Sequence, residues 1–126
     1  MKIAVLGAGA MGSLYGGYLA MSDNNEVWLV DIWQEHIDII NKNGLTIESN
    51  KDPLVIKNIK ATKDPEEVGR VDILIIFVKS TITKEAIETA RTMIDSDTTI
   101  ITLQNGGGNI EKIQEVVTGN RIIAGT

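Results

Sequence analysis

Short apolar segments alternate with segments of helical period along this chain, and no other feature constrains the fold as strongly. Residues 3–6, 27–30 and 71–78 consist almost entirely of apolar residues. A strand buried on both faces needs such a continuous run, whereas a strand with one face in water alternates apolar and polar residues. The intervening helices supply the crossovers that parallel strands require. We therefore predict an α/β fold in which helices cover both faces of a doubly wound, mostly parallel sheet.

The helices are predicted from apolar residues that recur at a spacing of three or four positions, and we expect these stripes to face the sheet. The second helix is expected to end at Asn43, with Gly44 as an αL cap. A further short helix is expected to begin at Pro65, with Asp64 as its N-cap. The stripes are Met11, Leu14, Tyr15, Tyr18 and Leu19; Trp33, Ile37 and Ile40; Ile82, Ala86, Ala90, Met93 and Ile94; and Ile110, Ile113, Val116 and Val117.

One stretch interrupts the alternation of strands and helices. Residues 45–48 and 54–57 are two β-prone segments separated by turn-forming residues, and they predict a β-hairpin inserted after the second helix. Shorter apolar segments predict three further strands, at residues 59–62, at residues 99–103 and from Arg121 onward.

A glycine motif stands at the junction of the first strand and the first helix. Residues 7–12 read Gly-Ala-Gly-Ala-Met-Gly, and a G-x-G-x-x-G in this position is typical of the dinucleotide-binding turn of Rossmann domains. Gly7 permits the tight turn, Gly9 lets a pyrophosphate approach the backbone, and Gly12 lets the helix pack close to the strand. The helix N-terminus supplies free N–H groups for the phosphates. A glycine-rich turn that binds nothing is the alternative. The expected cofactor contacts are Gly7, Ala8, Gly9, Ala10, Met11 and Gly12.

The residues that follow the second strand extend this hypothesis. Asp31 ends that strand, where a carboxylate accepts hydrogen bonds from the adenosine ribose in NAD-binding domains, although a solvated carboxylate is the simpler alternative. Trp28 and Trp33 are interpreted as packing residues, with the adenine as a second option for Trp33, and His36 as facing solvent. Two glycines inside the first helix, at positions 16 and 17, indicate close approach of helix and sheet.

Composition excludes several other kinds of site. The 126 residues include no Cys and one His, which argues against a disulfide scaffold, a metal site and a cysteine nucleophile. A formal net charge of −5 argues against binding nucleic acid or an anionic membrane, because both need a basic face. Apolar runs reach only six residues, at 73–78, and a membrane helix needs about 20. Residues 1–6 also lack the pattern of a signal peptide, so we expect a cytoplasmic location. The length predicts a single domain over residues 1–126.

Three further segments carry a family resemblance. They are the Val-Lys-Ser at residues 78–80, the Leu-Gln-Asn-Gly at residues 103–106 and the Gly-Asn-Ile-Glu at residues 108–111. Together with residues 1–12, they make the chain resemble the N-terminal domain of ketopantoate reductases (2-dehydropantoate 2-reductases) over essentially its whole length. Many dehydrogenases share the glycine motif, whereas the first two of these segments, at successive strand ends, are much more specific.

The resemblance implies a reaction and two further site residues. Ketopantoate reductases use NADPH to reduce 2-ketopantoate to pantoate, a step towards pantothenate and coenzyme A. By resemblance, Lys79 contacts the cofactor, and Asn105 lies beside the nicotinamide half and the substrate. Both positions follow parallel strands, whose carboxyl ends are where open α/β sheets bind ligands. The expected partners are a small 2-keto acid and, as one option for assembly, a second copy of the chain.

Two departures from the family pattern qualify what the resemblance implies. Ile32 stands where the family often has an arginine for the 2′-phosphate of NADP, and Asp31 would repel that phosphate. The cofactor is therefore NAD(P)H, with a preference for NAD as a hypothesis. The second departure is that the family's helical C-terminal domain, which supplies the general-acid lysine, is not among residues 1–126.

No catalytic residue is expected in this chain, and we expect the chain to be inactive alone. Residues 121–126 are expected to form a strand that enters the sheet, with a substrate domain following it. Two other functions stay open. One is a regulatory module that senses NAD(P), and the other is the cofactor domain of a different 2-hydroxy- or β-hydroxyacid dehydrogenase.

Overall fold

The computed structural model of the protein describes residues 1–7, 9–48, 52–104 and 108–125, without the side chains of Ala10 and Ser80. The strands are β1 (Lys2–Leu6), β2 (Glu26–Val30), β3 (Leu45–Ile47), β4 (Leu54–Ile56), β5 (Lys60–Thr62), β6 (Ile73–Ile76), β7 (Thr99–Thr102) and β8 (Ile122–Ala124). The helices are α1 (Ala10–Ala20), α2 (Gln34–Asn43), α3 (Pro65–Val68), α4 (Thr83–Thr89) and α5 (Asn109–Gln114), with 3₁₀ turns at Ser80–Ile82 and Ala90–Met93.

Six strands form one sheet in the order β5-β2-β1-β6-β7-β8, and each neighbouring pair is parallel. The chain starts in the middle of this sheet, builds outward through β2 and β5, and then returns to the other side of β1. This order is that of a Rossmann sheet, with its switch point between β1 and β6. The remaining two strands, β3 and β4, pair antiparallel in a separate hairpin. The predicted doubly wound sheet and the predicted hairpin are both confirmed.

The two faces of the sheet bury different residues of the same strands. Ile3 and Val5 of β1 pack on one side in a cluster that includes residues of α2 and the hairpin. Ala4 and Leu6 pack on the opposite side, in a cluster that includes residues of α3, α4 and α5. Successive side chains of a strand point to opposite faces, so a strand covered on both sides must be apolar at every position. This requirement accounts for the continuous apolar run at residues 3–6.

The apolar stripe predicted for α1 is wrong in part. Three of its members, Met11, Tyr15 and Tyr18, are 53%, 42% and 55% exposed. The buried face carries small residues instead, because the helix lies too close to the sheet for side chains to fit between them. A Cβ at Gly16 would lie 2.6 Å from Leu29 Cδ2. The close approach of helix and sheet expected from the two inner glycines is therefore confirmed at Gly16. At Gly17 the close approach is to the hairpin instead, because a Cβ there would lie 2.9 Å from Ile47 Cδ1. The small buried residues are Gly12, Gly16, Gly17 and Ala20.

Several boundaries differ from the predicted ones. The ladder of β6 covers four residues and not eight, although Asp72 and Phe77 on either side of it still donate to backbone carbonyls of β1 at 2.8 Å. The helix predicted from Ile82 to Ile94 is α4 with a 3₁₀ turn at each end. At the end of α2, Gly44 has the positive φ expected (85°), but its ψ of 173° is extended and not αL. The extended ψ carries the chain directly into β3.

The N-cap predicted for α3 is confirmed, because Asp64 Oδ1 accepts a hydrogen bond of 3.0 Å from the Glu66 backbone N–H. Asp64→Ala should lower the free energy of unfolding by about 1 kcal/mol, since it removes the acceptor for one free N–H group of the helix. Asp64→Asn keeps an acceptor and should cost less than about half of that. Urea denaturation followed by circular dichroism measures both, and equal losses in the two variants would contradict this role.

An ion-pair network joins the amino ends of β6 and β7. Arg70 Nε donates to Asp95 Oδ2 at 2.6 Å, and the same guanidinium pairs with Asp72. Asp72 also accepts a hydrogen bond of 2.8 Å from the Lys2 backbone N–H. This N–H and the guanidinium hold the pKa of Asp72 below its ordinary value, and Arg70 does the same for the pKa of Asp95.

These lowered pKa values predict a pH dependence. A carboxyl with a lowered pKa adds stability that is present above its ordinary pKa and is lost as the pH falls through the lowered one. Arg70→Met should therefore be less stable than wild type at pH 7, and the difference should shrink below about pH 4. Urea denaturation at pH 7, 5 and 3 tests this. Arg91→Met is the matched control, because the Arg91 guanidinium donates to the Val116 carbonyl (3.4 Å), a group that does not titrate. A similar pH dependence in both variants would argue against the network.

Candidate functional site

The carboxyl ends of four neighbouring strands bring most of the predicted site residues to one edge of the sheet. Gly7 follows β1, Asp31 follows β2, Lys79 comes three residues after β6, and Gln104 comes two residues after β7. In the sheet these strands lie in the order β2-β1-β6-β7. The edge therefore runs from Asp31 across the glycine turn to the ends of β6 and β7, at the switch point where open α/β sheets bind ligands. Asn105 and Ala8 lie outside the described residues.

The glycine turn is closely packed at its first and last glycines. Gly7 has a φ of 93°, a conformation that L side chains rarely adopt, and its N–H donates to the Val30 carbonyl at 2.8 Å. A Cβ at Gly7 would lie 3.1 Å from the backbone nitrogen of Val78. A Cβ at Gly12 would lie only 1.9 Å from the Gly7 carbonyl oxygen. The first turn of α1 thus sits directly against the loop that precedes it.

The middle glycine has the opposite environment. Gly9 is exposed, and a Cβ built there would meet no heavy atom of the described residues within 4 Å, apart from its chain neighbours. It is the N-cap of α1, with a φ of −68°, and its carbonyl accepts the first helical hydrogen bond, from Ser13, at 2.8 Å. The turn therefore presents open space beside bare backbone at the start of an 11-residue helix. A pyrophosphate fits such a place, because it can approach the free N–H groups of the helix N-terminus.

The end of β2 holds Asp31 and leaves Ile32 open. The Asp31 backbone N–H donates to the Thr62 carbonyl at 3.1 Å, which ties this position to β5. Its Oδ1 accepts a hydrogen bond of 2.6 Å from the Ile32 backbone N–H. The Ile32 side chain is 90% exposed. An apolar side chain that is so open, next to a carboxylate at the ligand-binding edge, is available to contact a bound molecule.

Gln104 is a site residue to which the sequence assigned no role. Its Nε2 donates to the Val78 carbonyl and to Thr83 Oγ1, both at 2.6 Å. Its Oε1 accepts a hydrogen bond of 2.8 Å from Thr102 Oγ1. One side chain thereby connects the ends of β6 and β7 with the first residue of α4. Lys79 itself is exposed beside this connection. The signals in the sequence were an amide side chain at the end of an apolar strand and its place in the Leu-Gln-Asn-Gly segment at residues 103–106.

A cleft of about 420 Å³ opens beside Gly9. Its walls come from the start of α1, from the start of α2 and from the hairpin strand β3. Trp33 is 60% exposed in this wall and stacks on His36, with the ring centroids 5.2 Å apart and the planes 21° apart. The prediction that Trp33 is a packing residue is therefore wrong. His36 is half-buried, so the prediction that it faces solvent is wrong in part. Trp28, in contrast, is buried as expected. The lining residues are Gly9, Met11, Ser13, Leu14, Trp33, His36, Leu45, Thr46, Ile47 and Glu48.

Over residues 1–7, 9–48, 52–104 and 108–125, no group of three or more His, Asp or Glu side chains is arranged to hold a metal ion. Within the same ranges, none of the helices has both the length and the apolar character needed to cross a membrane.

A family model, curated relatives and solved structures match this chain to ketopantoate reductases. The family model for ketopantoate reductase PanE/ApbA matches residues 3–126. The 2-dehydropantoate 2-reductase of Pyrococcus horikoshii is 42% identical over 125 residues, which are 99% of this chain and 39% of that protein. A PanE/ApbA family ketopantoate reductase from Ralstonia eutropha JMP134 has a similar structure, with a TM-score of 0.88 and 32% identity over 98% of this chain and 40% of that one.

A solved structure of D-mandelate dehydrogenase with NADH and anilino(oxo)acetate is equally similar. Its TM-score is 0.88, and it is 33% identical over 100% of this chain and 40% of that chain. The chain thus spans about two fifths of the length of the relatives that it matches.

Proposed function

The chain belongs to the ketopantoate reductase PanE/ApbA family, and we propose that it is the cofactor-binding part of an oxidoreductase that reduces 2-ketopantoate to pantoate with NAD(P)H. In this role it serves pantothenate and coenzyme A biosynthesis. The observation that carries the proposal is the glycine turn, which is closely packed at Gly7 and Gly12 and open at Gly9. When bound, the cofactor supplies the hydride for the reduction.

Each site residue has a place in this proposal. The backbone of residues 7–12 holds the pyrophosphate, and Asp31 accepts hydrogen bonds from the adenosine ribose. Lys79 offers a charge to a phosphate or a donor to a ribose hydroxyl. Asn105 orients the nicotinamide half and the keto acid through an amide that both donates and accepts. The general acid comes from outside residues 1–126, in a substrate domain. Assembly as a homodimer and a cytoplasmic location stay predictions.

A cofactor preference for NADH is part of the proposal. Asp31 is anchored at the end of β2, and the neighbouring Ile32 side chain is apolar and open. A 2′-phosphate placed beside this carboxylate would be repelled, and Ile32 offers no charge to compensate. The similar D-mandelate dehydrogenase was solved with NADH, which is consistent with this preference.

Titration of the chain with NADH and NADPH tests the proposal. Trp33 stands beside the glycine turn, so energy transfer from tryptophan to the reduced nicotinamide reports binding. We expect saturable binding of both cofactors, tighter for NADH. Gly9→Val is the matched control: it should keep the unfolding transition, because its side chain enters open space, and lose binding. Failure of the folded chain to bind either cofactor would contradict the proposal, and so would equal binding by the variant.

A second candidate function is favoured by one comparison. The similarity to D-mandelate dehydrogenase equals that to the ketopantoate reductase from R. eutropha, with a TM-score of 0.88 for each. The chain is therefore also compatible with the cofactor domain of a dehydrogenase for another 2-hydroxy acid. Assays of the protein together with its substrate domain, on 2-ketopantoate and on an aromatic 2-keto acid, separate the two functions by the ratio of their kcat/KM values.

A further inference from the structure

The Gln104 side chain uses three hydrogen bonds at one point of the ligand-binding edge. Two are donated by its amide nitrogen, to the Val78 carbonyl and to the Thr83 hydroxyl, and one is accepted from the Thr102 hydroxyl. Thr83 and Thr102 are buried, and Gln104 is half-buried. An amide with a donor and an acceptor on one rigid plane fixes all three partners in one geometry. The ends of β6 and β7 are therefore held in register beyond the last ladder residues.

The consequence for Lys79 follows from its two flanking peptide groups. The carbonyl before it, that of Val78, is held by Gln104 at 2.6 Å. Its own carbonyl accepts a hydrogen bond of 2.9 Å from the Ile82 backbone N–H, in the turn that leads into α4. Lys79 thus has a backbone fixed on both sides and a side chain that is exposed. A flexible lysine placed on a fixed backbone loses less freedom when it binds an anion or a hydroxyl than one on a mobile loop.

We propose that Gln104 is a positioning residue for dinucleotide binding, which acts through Lys79 by holding the Val78 carbonyl. The proposal rests on the proposed function, since it requires that Lys79 contacts the cofactor. Gln104 itself contacts the protein and not the ligand. The alternative is a purely structural role, in which Gln104 stabilises the fold and affects binding only through the folded fraction.

A double-mutant cycle separates these two roles, with NADH as the ligand and tryptophan-to-nicotinamide energy transfer as the signal. Lys79→Ala should weaken binding about tenfold, and Gln104→Met about fivefold, because the change removes the hydrogen bonds while keeping the side-chain length. If Gln104 acts through Lys79, the double variant should bind no more than about twofold more weakly than Lys79→Ala alone. A purely structural role would give the product of the two losses, and this result would overturn the proposal.

A control variant and a substitute variant complete the experiment. Gln114→Met makes the same chemical change at an exposed position of α5 and should bind NADH as wild type does. Should Gln104→Met fail to fold, Thr83→Val removes one partner of the same amide and should weaken binding about threefold, while Thr83→Ser should restore it. Binding by Thr83→Val that equals wild type in a folded protein would overturn the proposal. Failure of the wild-type chain to bind NADH would overturn the proposed function as well, whereas unchanged binding in folded Gln104→Met overturns the positioning role alone.

Discussion

Gly12→Ala is expected to lower the free energy of unfolding by about 3 kcal/mol or more and to abolish dinucleotide binding in whatever protein still folds. The new Cβ would lie 1.9 Å from the Gly7 carbonyl oxygen, and no real contact is so short. Neither partner can move easily, because both are closely packed: a Cβ at Gly7 would lie 3.1 Å from the Val78 backbone nitrogen, and one at Gly16 of α1 would lie 2.6 Å from Leu29 Cδ2. The helix or the turn must shift, and either shift changes the proposed binding place of the phosphates.

Urea denaturation of Gly12→Ala and Gly9→Ala measures this effect with a matched control. Both variants add one methyl group to the same turn. Among the described residues, however, a Cβ at Gly9 meets no atom within 4 Å beyond its chain neighbours, and its φ of −68° suits alanine. Gly9→Ala should therefore stay within about 0.5 kcal/mol of the wild-type stability. Similar unfolding midpoints for the two variants would show that the close packing of the turn on α1 is not what requires glycine at position 12.

The double variant Asp31→Ala, Ile32→Arg should shift the ratio of the NADPH and NADH affinities towards NADPH by about tenfold to a hundredfold. The first change removes a carboxylate that repels the 2′-phosphate, and the second adds a guanidinium that pairs with it. Charge-assisted hydrogen bonds of this kind contribute about 1.5–3 kcal/mol, and each 1.4 kcal/mol is about tenfold in affinity. The Ile32 side chain is 90% exposed, so the fold has room for the arginine.

Fluorescence titration of both cofactors at two salt concentrations measures the shift. Ile39→Arg is the control, because it adds the same charge at an exposed apolar residue of α2. It should leave the ratio of the two affinities within about twofold of wild type, and added salt should erase any long-range effect of its charge. If the double variant also leaves the ratio unchanged, the end of β2 does not contact the adenosine ribose, and the proposed NADH preference has another cause.

The sheet could be predicted from the sequence because strands that are buried on both faces have a continuous run of apolar residues. The run at residues 3–6 is explained entirely by the two faces that β1 buries. Caps such as Asp64 were predictable for a similar reason, since the contact is made within two residues along the chain. Gly7 and Gly12 were predictable from a motif whose meaning depends on local backbone geometry.

What escaped prediction depends on contacts between distant parts of the chain. Met11, Tyr15 and Tyr18 have a perfect helical period, but the face that α1 buries is decided by how closely the helix approaches Leu29. Gln104 reaches Val78 across 26 residues of sequence, so its role appears only when β6 and β7 are neighbours. Trp33 likewise lines a cleft only because the start of α1 and the strand β3 lie beside it in the fold.

The buried glycines of α1 also bear on the order in which the protein folds. Each glycine in a helix interior costs about 1 kcal/mol relative to alanine, and α1 carries three in 11 residues. A helix of this length and composition has no stability of its own in water. It can form only after β1 and β2 have met and offered the surface against which it packs. We expect its amides to gain protection from hydrogen exchange later than those of the central strands, so that the glycine turn is among the last parts of the molecule to assemble.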